Sequence, residues 1–278
     1  MTLVYTCDNQ VIEMAFEKLK DDGIVSRDAY FKYDAPQNLR REVTYRDIDF
    51  LYSLSETHEV EVVRSALEML KREGIVPKEA TYDEVAFDEL RQEVKQNFNV
   101  PGTAITPVME RLLYMLSSIK KPHRVIGLGI YCGNTLVWPV GSSCGKGRVY
   151  EAEKVYGIDI DAEAIELARA NFGQLANVDH IELIAEDGLR VVERLDETFD
   201  YVYLDADNEE LGKGLYLELL NKLYGKVERG GWVLAHDTTC PYFSKQLKQY
   251  LNFVRDRNNF SETISFDVDP FGLELSIK

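Results

Sequence analysis

The stretch Arg124-Val-Ile-Gly-Leu-Gly-Ile-Tyr-Cys-Gly-Asn-Thr135 constrains the fold more than any other part of the chain. Val125 and Ile126 form a β-branched run, glycines follow at Gly127, Gly129 and Gly133, and the residues after them can start a helix. Glycine alone lets a backbone turn from strand to helix while passing this close to a ligand. The stretch predicts the carboxyl end of the first strand of an open α/β sheet, carrying a cradle for a nucleotide-type ligand. Taken alone, the same string also fits a bare strand-to-helix turn.

The sequence downstream favours the cradle. After a helix from about Asn134 and a Gly/Ser/Cys-rich excursion, Gly141-Ser-Ser-Cys-Gly-Lys-Gly147, a second strand is read at Lys154–Asp159. Asp161 caps the next helix, which carries Ile165, Ala168 and Phe172 on one face. A third strand (His180–Ala185) precedes a short helix from Gly188, a fourth (Phe199–Asp205) precedes a helix through Leu223, and a fifth (Gly231–His236) precedes a helix from about Tyr242 to Val254. Strands separated by helical stretches predict a parallel, doubly wound, Rossmann-like α/β sheet. A closing hairpin, Glu262 to Asp267 and Leu273 to Ile277, brings the strands to seven and adds an antiparallel edge.

Residues 1–97 read as a separate, charged, helical N-terminal domain, with 98–278 as the sheet domain. An internal repeat runs through the first part at an offset of 51: Val11-Ile-Glu-Met-Ala-Phe-Glu-Lys-Leu-Lys-Asp-Asp-Gly-Ile-Val25 aligns without gaps on Val62-Val-Arg-Ser-Ala-Leu-Glu-Met-Leu-Lys-Arg-Glu-Gly-Ile-Val76. Each copy is an amphipathic helix stopped by a glycine suited to a left-handed C-cap. A lid, a substrate-selecting unit, a homodimer-forming unit and a plain packing appendage all fit this pattern. Phe98-Asn-Val-Pro-Gly-Thr103 reads as a linker lying across the mouth of the cradle, after which Thr106 and Pro107 start a helix whose Val108, Leu112, Met115, Leu116 and Ile119 share a face.

Charge narrows the function. With 48 acidic against 32 basic residues the net charge is −16, a field that repels nucleic-acid backbones and anionic bilayers. The four cysteines form no Cys-x-x-Cys pair, as expected of free thiols in a reducing cytoplasm. No signal-peptide pattern opens the sequence and no apolar run is long enough for a membrane span, so a cytoplasmic protein is expected.

Four ordered pieces resemble the class I S-adenosylmethionine-dependent methyltransferases, above all the catechol and caffeoyl-coenzyme-A O-methyltransferases. They are Gly129-Ile-Tyr-Cys-Gly133, Tyr156-Gly-Ile-Asp-Ile-Asp161, Phe199-Asp-Tyr-Val-Tyr-Leu-Asp-Ala-Asp207 and Gly230-Gly-Trp-Val-Leu-Ala-His-Asp-Thr238. The resemblance covers roughly residues 98 to 278. It implies S-adenosylmethionine as methyl donor, a small-molecule methyl acceptor, and a cofactor site made from Gly127, Gly129, Tyr131, Gly133, Asp159, Ile160, Asp187 and Asp205. Asp159 would take the ribose hydroxyls, as a carboxylate at the end of a second strand can. For Asp187, a reach to the adenine amine competes with a helix-cap role, and Glu186 is an alternative.

Asp205 and Asp237 end adjacent strands, where two carboxylates repel unless a cation or a proton lies between them. A divalent ion such as Mg2+ meets that need, and the resemblance implies one held by Asp205, Asp237 and Thr238, lowering the pKa of the acceptor hydroxyl. Three positions depart from the family. Thr238 stands in place of Asn, Asn208 in place of a lysine base, and Gly127 in place of the acid that helps hold the cofactor's amino-acid end. Asp205, Asp237 and His236 are the catalytic candidates, His236 as a general base unless strand alternation turns it away from Asp237. Tyr131, Trp138, Tyr242 and Phe243 are candidates for an aromatic wall, or for ordinary packing. Methyl transfer to an oxygen is the expected reaction. An NAD(P)-dependent oxidoreductase and a non-catalytic protein that binds S-adenosylmethionine are the alternatives.

Overall fold

A computed structural model describes residues 2–6, 48–101, 105–269 and 271–278, with residues 17, 18, 20, 21 and 23 between them. Eight strands among these form one sheet: β1 (Leu3–Thr6), β2 (Arg124–Leu128), β3 (Lys154–Asp159), β4 (Ile181–Ala185), β5 (Phe199–Leu204), β6 (Val227–His236), β7 (Glu262–Asp267) and β8 (Leu273–Ile277). Their order is β1-β7-β8-β6-β5-β2-β3-β4. Strands β2 to β6 pair in parallel, and β8 lies antiparallel between β6 and β7.

These last seven strands are those read from the sequence. The eighth, β1, comes from the segment expected to be helical and pairs parallel to β7. Its Leu-Val-Tyr-Thr run suits a pleated edge. Tyr5 anchors it, with its ring 6.2 Å from that of Phe266 and its hydroxyl donating to the Val62 carbonyl at 3.0 Å.

Strand alternation sorts side chains onto two buried faces. Val125, Tyr201, Tyr203, Trp232 and Leu234 face one core, while Ile126, Val202, Leu204, Val233 and Ala235 face the other. Helices α1 (Ile48–Arg72), α2 (Glu84–Asn97), α3 (Pro107–Lys120), α4 (Asn134–Val140) and α5 (Ala162–Phe172) contribute to the first. Helices α6 (Gly188–Arg194), α7 (Leu215–Leu223) and α8 (Lys248–Val254) contribute to the second. Trp138 of α4 lies wholly inside, its ring centroid 6.1 Å from that of Phe87, so it forms no part of an aromatic wall.

The second copy of the repeat lies in α1, where Val62, Val63, Ala66, Leu67 and Leu70 are buried and Gly74 ends the turn at φ +73°. Gly23, its counterpart in the first copy, has φ +75°; most of the rest of that copy lies outside the described residues. Buried Arg91 and Arg111 tie α2 and α3 to α1 by pairing with Glu59 at 2.6 and 2.9 Å. Thr106 precedes α3 as expected, yet its hydroxyl makes no cap bond and instead donates to Asp269 at 2.5 Å. Among the described residues no helix is long and apolar enough to cross a membrane.

Candidate active site

The glycine turn closes β2 onto both neighbouring strands. Gly129 donates from its backbone to the Ile158 carbonyl at 2.9 Å, and Asp205 donates from its backbone to the Leu128 carbonyl at 2.8 Å. With φ +82°, Gly129 presses against the segment after β5, where a Cβ would lie 2.3 Å from the Ala206 nitrogen. At Gly133, φ +86°, a Cβ would meet the Phe172 ring at 2.8 Å. Gly127 has a different reason. Its missing side chain makes room for Leu136, whose Cδ1 would lie 2.7 Å from a Cβ and would have to shift for a larger residue.

Asp159, at the end of β3, accepts from the Tyr131 backbone at 2.7 Å with Oδ2 and from the Asp161 backbone at 3.0 Å with Oδ1. Each oxygen keeps a further lone pair, enough for the hydroxyls of a ribose. Beside it Ile160 is 72% exposed, an apolar surface that a nucleobase could cover. Asp187 caps α6 by accepting from the Leu189 backbone at 2.8 Å, and Glu186 is paired with Arg194. The 98–101 segment does run past the cradle: Tyr131 donates its hydroxyl to the Pro101 carbonyl at 2.8 Å, while Asn171 bridges Asn99 and the Cys132 carbonyl. These residues fit a nucleoside cofactor by cradle, acid and exposed apolar face.

The acidic pair lies next door, at the ends of β5 and β6. Strand alternation would send His236 and Asp237 apart, but β6 ends at His236 and Asp237 adopts φ +64°. That left-handed residue swings both side chains into one cluster, with His236 Nδ1 3.5 Å from Asp205 Oδ1 and 3.6 Å from Asp237 Oδ1. Aspartate is one of the few non-glycine residues that take this conformation as a single residue.

Between the carboxylates lies a cation that the sequence reading missed. Lys213 Nζ is 2.7 Å from Asp205 Oδ1, 2.9 Å from Asp237 Oδ2 and 2.9 Å from the Asp205 carbonyl. Asn208 sets up its delivery by accepting from the Leu211 backbone at 2.7 Å with its side chain and from Gly212 at 2.9 Å with its carbonyl. Gly212 then turns at φ +54°, and Gln246 accepts from the Lys213 backbone at 2.8 Å. The position read as a lost lysine therefore starts a turn that brings a lysine in five residues later. A Gly-Lys-Gly triplet in the connection after β5 was the available signal.

The electrostatics follow this packing. Burial works against the Asp205 charge, but Lys213 and His236 outweigh it and draw the carboxyl down to about 2. Burial likewise works against a charged His236, yet Asp237 and Asp205 raise its pKa to about 9. At neutral pH the residue is an imidazolium, not the ready base expected from its ordinary value. Asp205, His236 and Asp237 each offer one ligand atom, all within 4.8 Å of one another, a donor set chemically able to take a divalent ion. With an ammonium already seated between the two carboxylates, however, the set does not fit one. Of the aromatic candidates, Tyr131 and Tyr242 are exposed, and Phe243 lies under Lys213 with 5.7 Å between Nζ and the ring centroid.

Residues 77–242 match the model of a family described as O-methyltransferase. This chain belongs to the O-methyltransferase family. That membership sets aside the dinucleotide oxidoreductase alternative. An Arabidopsis thaliana protein classed with the caffeoyl-CoA O-methyltransferases is 31% identical over 156 residues, covering 54% of this chain and 62% of the relative. The chain thus spans less than two thirds of the curated relatives it matches. Two solved structures share the fold of this O-methyltransferase-family chain. A Podospora anserina methyltransferase bound to S-adenosylhomocysteine has TM-score 0.53 and 14% identity, covering 76% of this chain and 95% of its own. An O-methyltransferase of Streptomyces achromogenes, solved with S-adenosylmethionine, has TM-score 0.51 and 18% identity, covering 72% and 91%.

Proposed function

We propose that this protein transfers the methyl group of S-adenosylmethionine to a hydroxyl oxygen of a small molecule. The observation that carries this reading is the contact between Gly129 and the Asp205–Ala206 backbone, which sets the nucleoside cradle on β2 and β3 directly against the acidic cluster on β5 and β6. Donor and acceptor sites that touch in this way suit an in-line transfer between them. Alignment of that kind is worth on the order of 7–11 kcal/mol.

The cofactor supplies an activated methyl group on a sulfonium, and the new O–CH3 bond replaces the S–CH3 bond while sulfur keeps the bonding pair. Gly129 and Gly133 would cradle it and Asp159 would hold its sugar, while Asp187, with one oxygen on the Leu189 backbone, would have the other for the base. The acceptor hydroxyl gives its proton to the neutral form of His236, a form that grows as pH rises toward the raised pKa of about 9, and the carboxylates of Asp205 and Asp237 face the imidazolium that results. Its Nε2 is buried without a hydrogen-bond partner among the described residues.

The same reading makes the protein a cytoplasmic homodimer, with residues 1–97 selecting or covering the acceptor. The net charge of −16 supports a small molecule over nucleic acid as substrate. Calorimetry with S-adenosylmethionine and S-adenosylhomocysteine tests the proposal. Binding of both, lost in Asp159→Ala, is expected; absence of binding by the folded protein would overturn it.

A further inference from the structure

We propose that Lys213 is a built-in cation standing where a divalent metal would otherwise bridge Asp205 and Asp237, so that this chain's acidic pair works without a metal. The inference rests on the methyltransferase reading only for what the pair does, not for how it is held together.

An ammonium has three N–H donors and no acceptor. Lys213 donates to two oxygens of Asp205, Oδ1 at 2.7 Å and the backbone carbonyl at 2.9 Å, and its charge pairs with Asp237 Oδ2 at 2.9 Å. It is 5% exposed, so no water shell competes for those bonds. A divalent ion on the same carboxylates would bring its charge within a few ångströms of the ammonium. It would have to evict Lys213 into surroundings made by Tyr216 and Phe243, whose ring centroids lie 5.3 and 5.7 Å from Nζ.

The lysine's approach is itself built in. The Asn208 turn, the left-handed Gly212 and the Gln246 bond to the Lys213 backbone fix where the lysine leaves the main chain. Gln246 packs closely on Gly212, where a Cβ would lie 2.3 Å from its Oε1. Thr238, where the family places an amide ligand, offers a single hydroxyl whose Oγ1 is buried and without a hydrogen-bond partner among the described residues. Buried and held by both aspartates, Lys213 does not act on the acceptor itself. It is a positioning residue that holds both carboxylates, leaving Thr238 Oγ1 and His236 Nε2 as the cluster's polar atoms without a hydrogen-bond partner among the described residues.

The test is a Mn2+ titration followed by electron paramagnetic resonance, on the full chain stripped with EDTA and saturated with S-adenosylhomocysteine. The unaltered protein is expected to bind no stoichiometric Mn2+ and to keep its thermal midpoint in EDTA and in Mg2+. Lys213→Gln is expected to take up one Mn2+ and to recover stability as Mn2+ is added. A stoichiometric ion in the unaltered protein would overturn the proposal, as would a folded Lys213→Gln that binds none. If Lys213→Gln does not fold, the titration of the unaltered protein decides alone. S-adenosylhomocysteine affinity is measured separately by calorimetry, so that failure of the methyltransferase reading and failure of this one give different results.

Discussion

Gly129 and Ala206 are in backbone contact: a Cβ on the glycine would stand 2.3 Å from the Ala206 nitrogen, with the glycine at φ +82°. Two strands that carry different halves of the site thus meet with no side chain between them. Gly129→Ala should destabilise the fold by about 1–2 kcal/mol from the left-handed backbone alone, with the clash adding to it. S-adenosylhomocysteine affinity should fall in parallel. Chemical denaturation and calorimetry on the same variant check both.

Asp159 uses its two oxygens to order the Tyr131 and Asp161 backbones and keeps lone pairs for a sugar. Asp159→Asn preserves the shape but removes the charge. Losing a charge-assisted hydrogen bond of about 1.5–3 kcal/mol should weaken S-adenosylhomocysteine binding roughly 10- to 100-fold. Isothermal calorimetry measures this directly.

His236 makes stability depend on pH. Its folded-state pKa is about 9 against an ordinary value of 6.5, so the folded protein holds the proton more tightly than the unfolded chain does. That contribution is fully present below pH 6.5 and is lost as pH rises through about 9. It amounts to roughly 3 kcal/mol at most. Thermal midpoints from pH 6 to 10 should decline across that interval, and the decline should flatten in His236→Gln.

Asn171 stitches the 98–101 segment to the glycine turn, accepting from Asn99 at 2.8 Å and donating to the Asn99 and Cys132 carbonyls at 3.0 and 2.9 Å. Asn171→Ala should cost about 1–3 kcal/mol by leaving part-buried partners unpaired. Limited proteolysis should then cut the 98–101 segment sooner than in the unaltered protein.

Much of the sheet was legible because it is written in short windows. The run Lys154–Asp159, the hairpin strands Glu262–Asp267 and Leu273–Ile277, and the Asp161 cap bonding the Glu163 and Ala164 backbones all lie where local pattern puts them. Trp138 was not resolved by pattern. An aromatic side chain in a seven-residue helix has no periodicity long enough to say which face meets Phe87.

By itself the sequence determined the strand and helix succession, the glycine turn and the placement of Asp159, Asp205 and Asp237 at strand ends, since each depends on residues a few positions apart. Only the tertiary structure decided that Leu3–Thr6 joins β7, that Thr106 reaches Asp269, and that Lys213 seats between the two aspartates. Each of those pairings depends on the path of an intervening loop and on what else is buried beside it. The charge balance at the centre of the site comes from such a path, through Asn208 and Gly212, and a one-dimensional reading has no means of closing it.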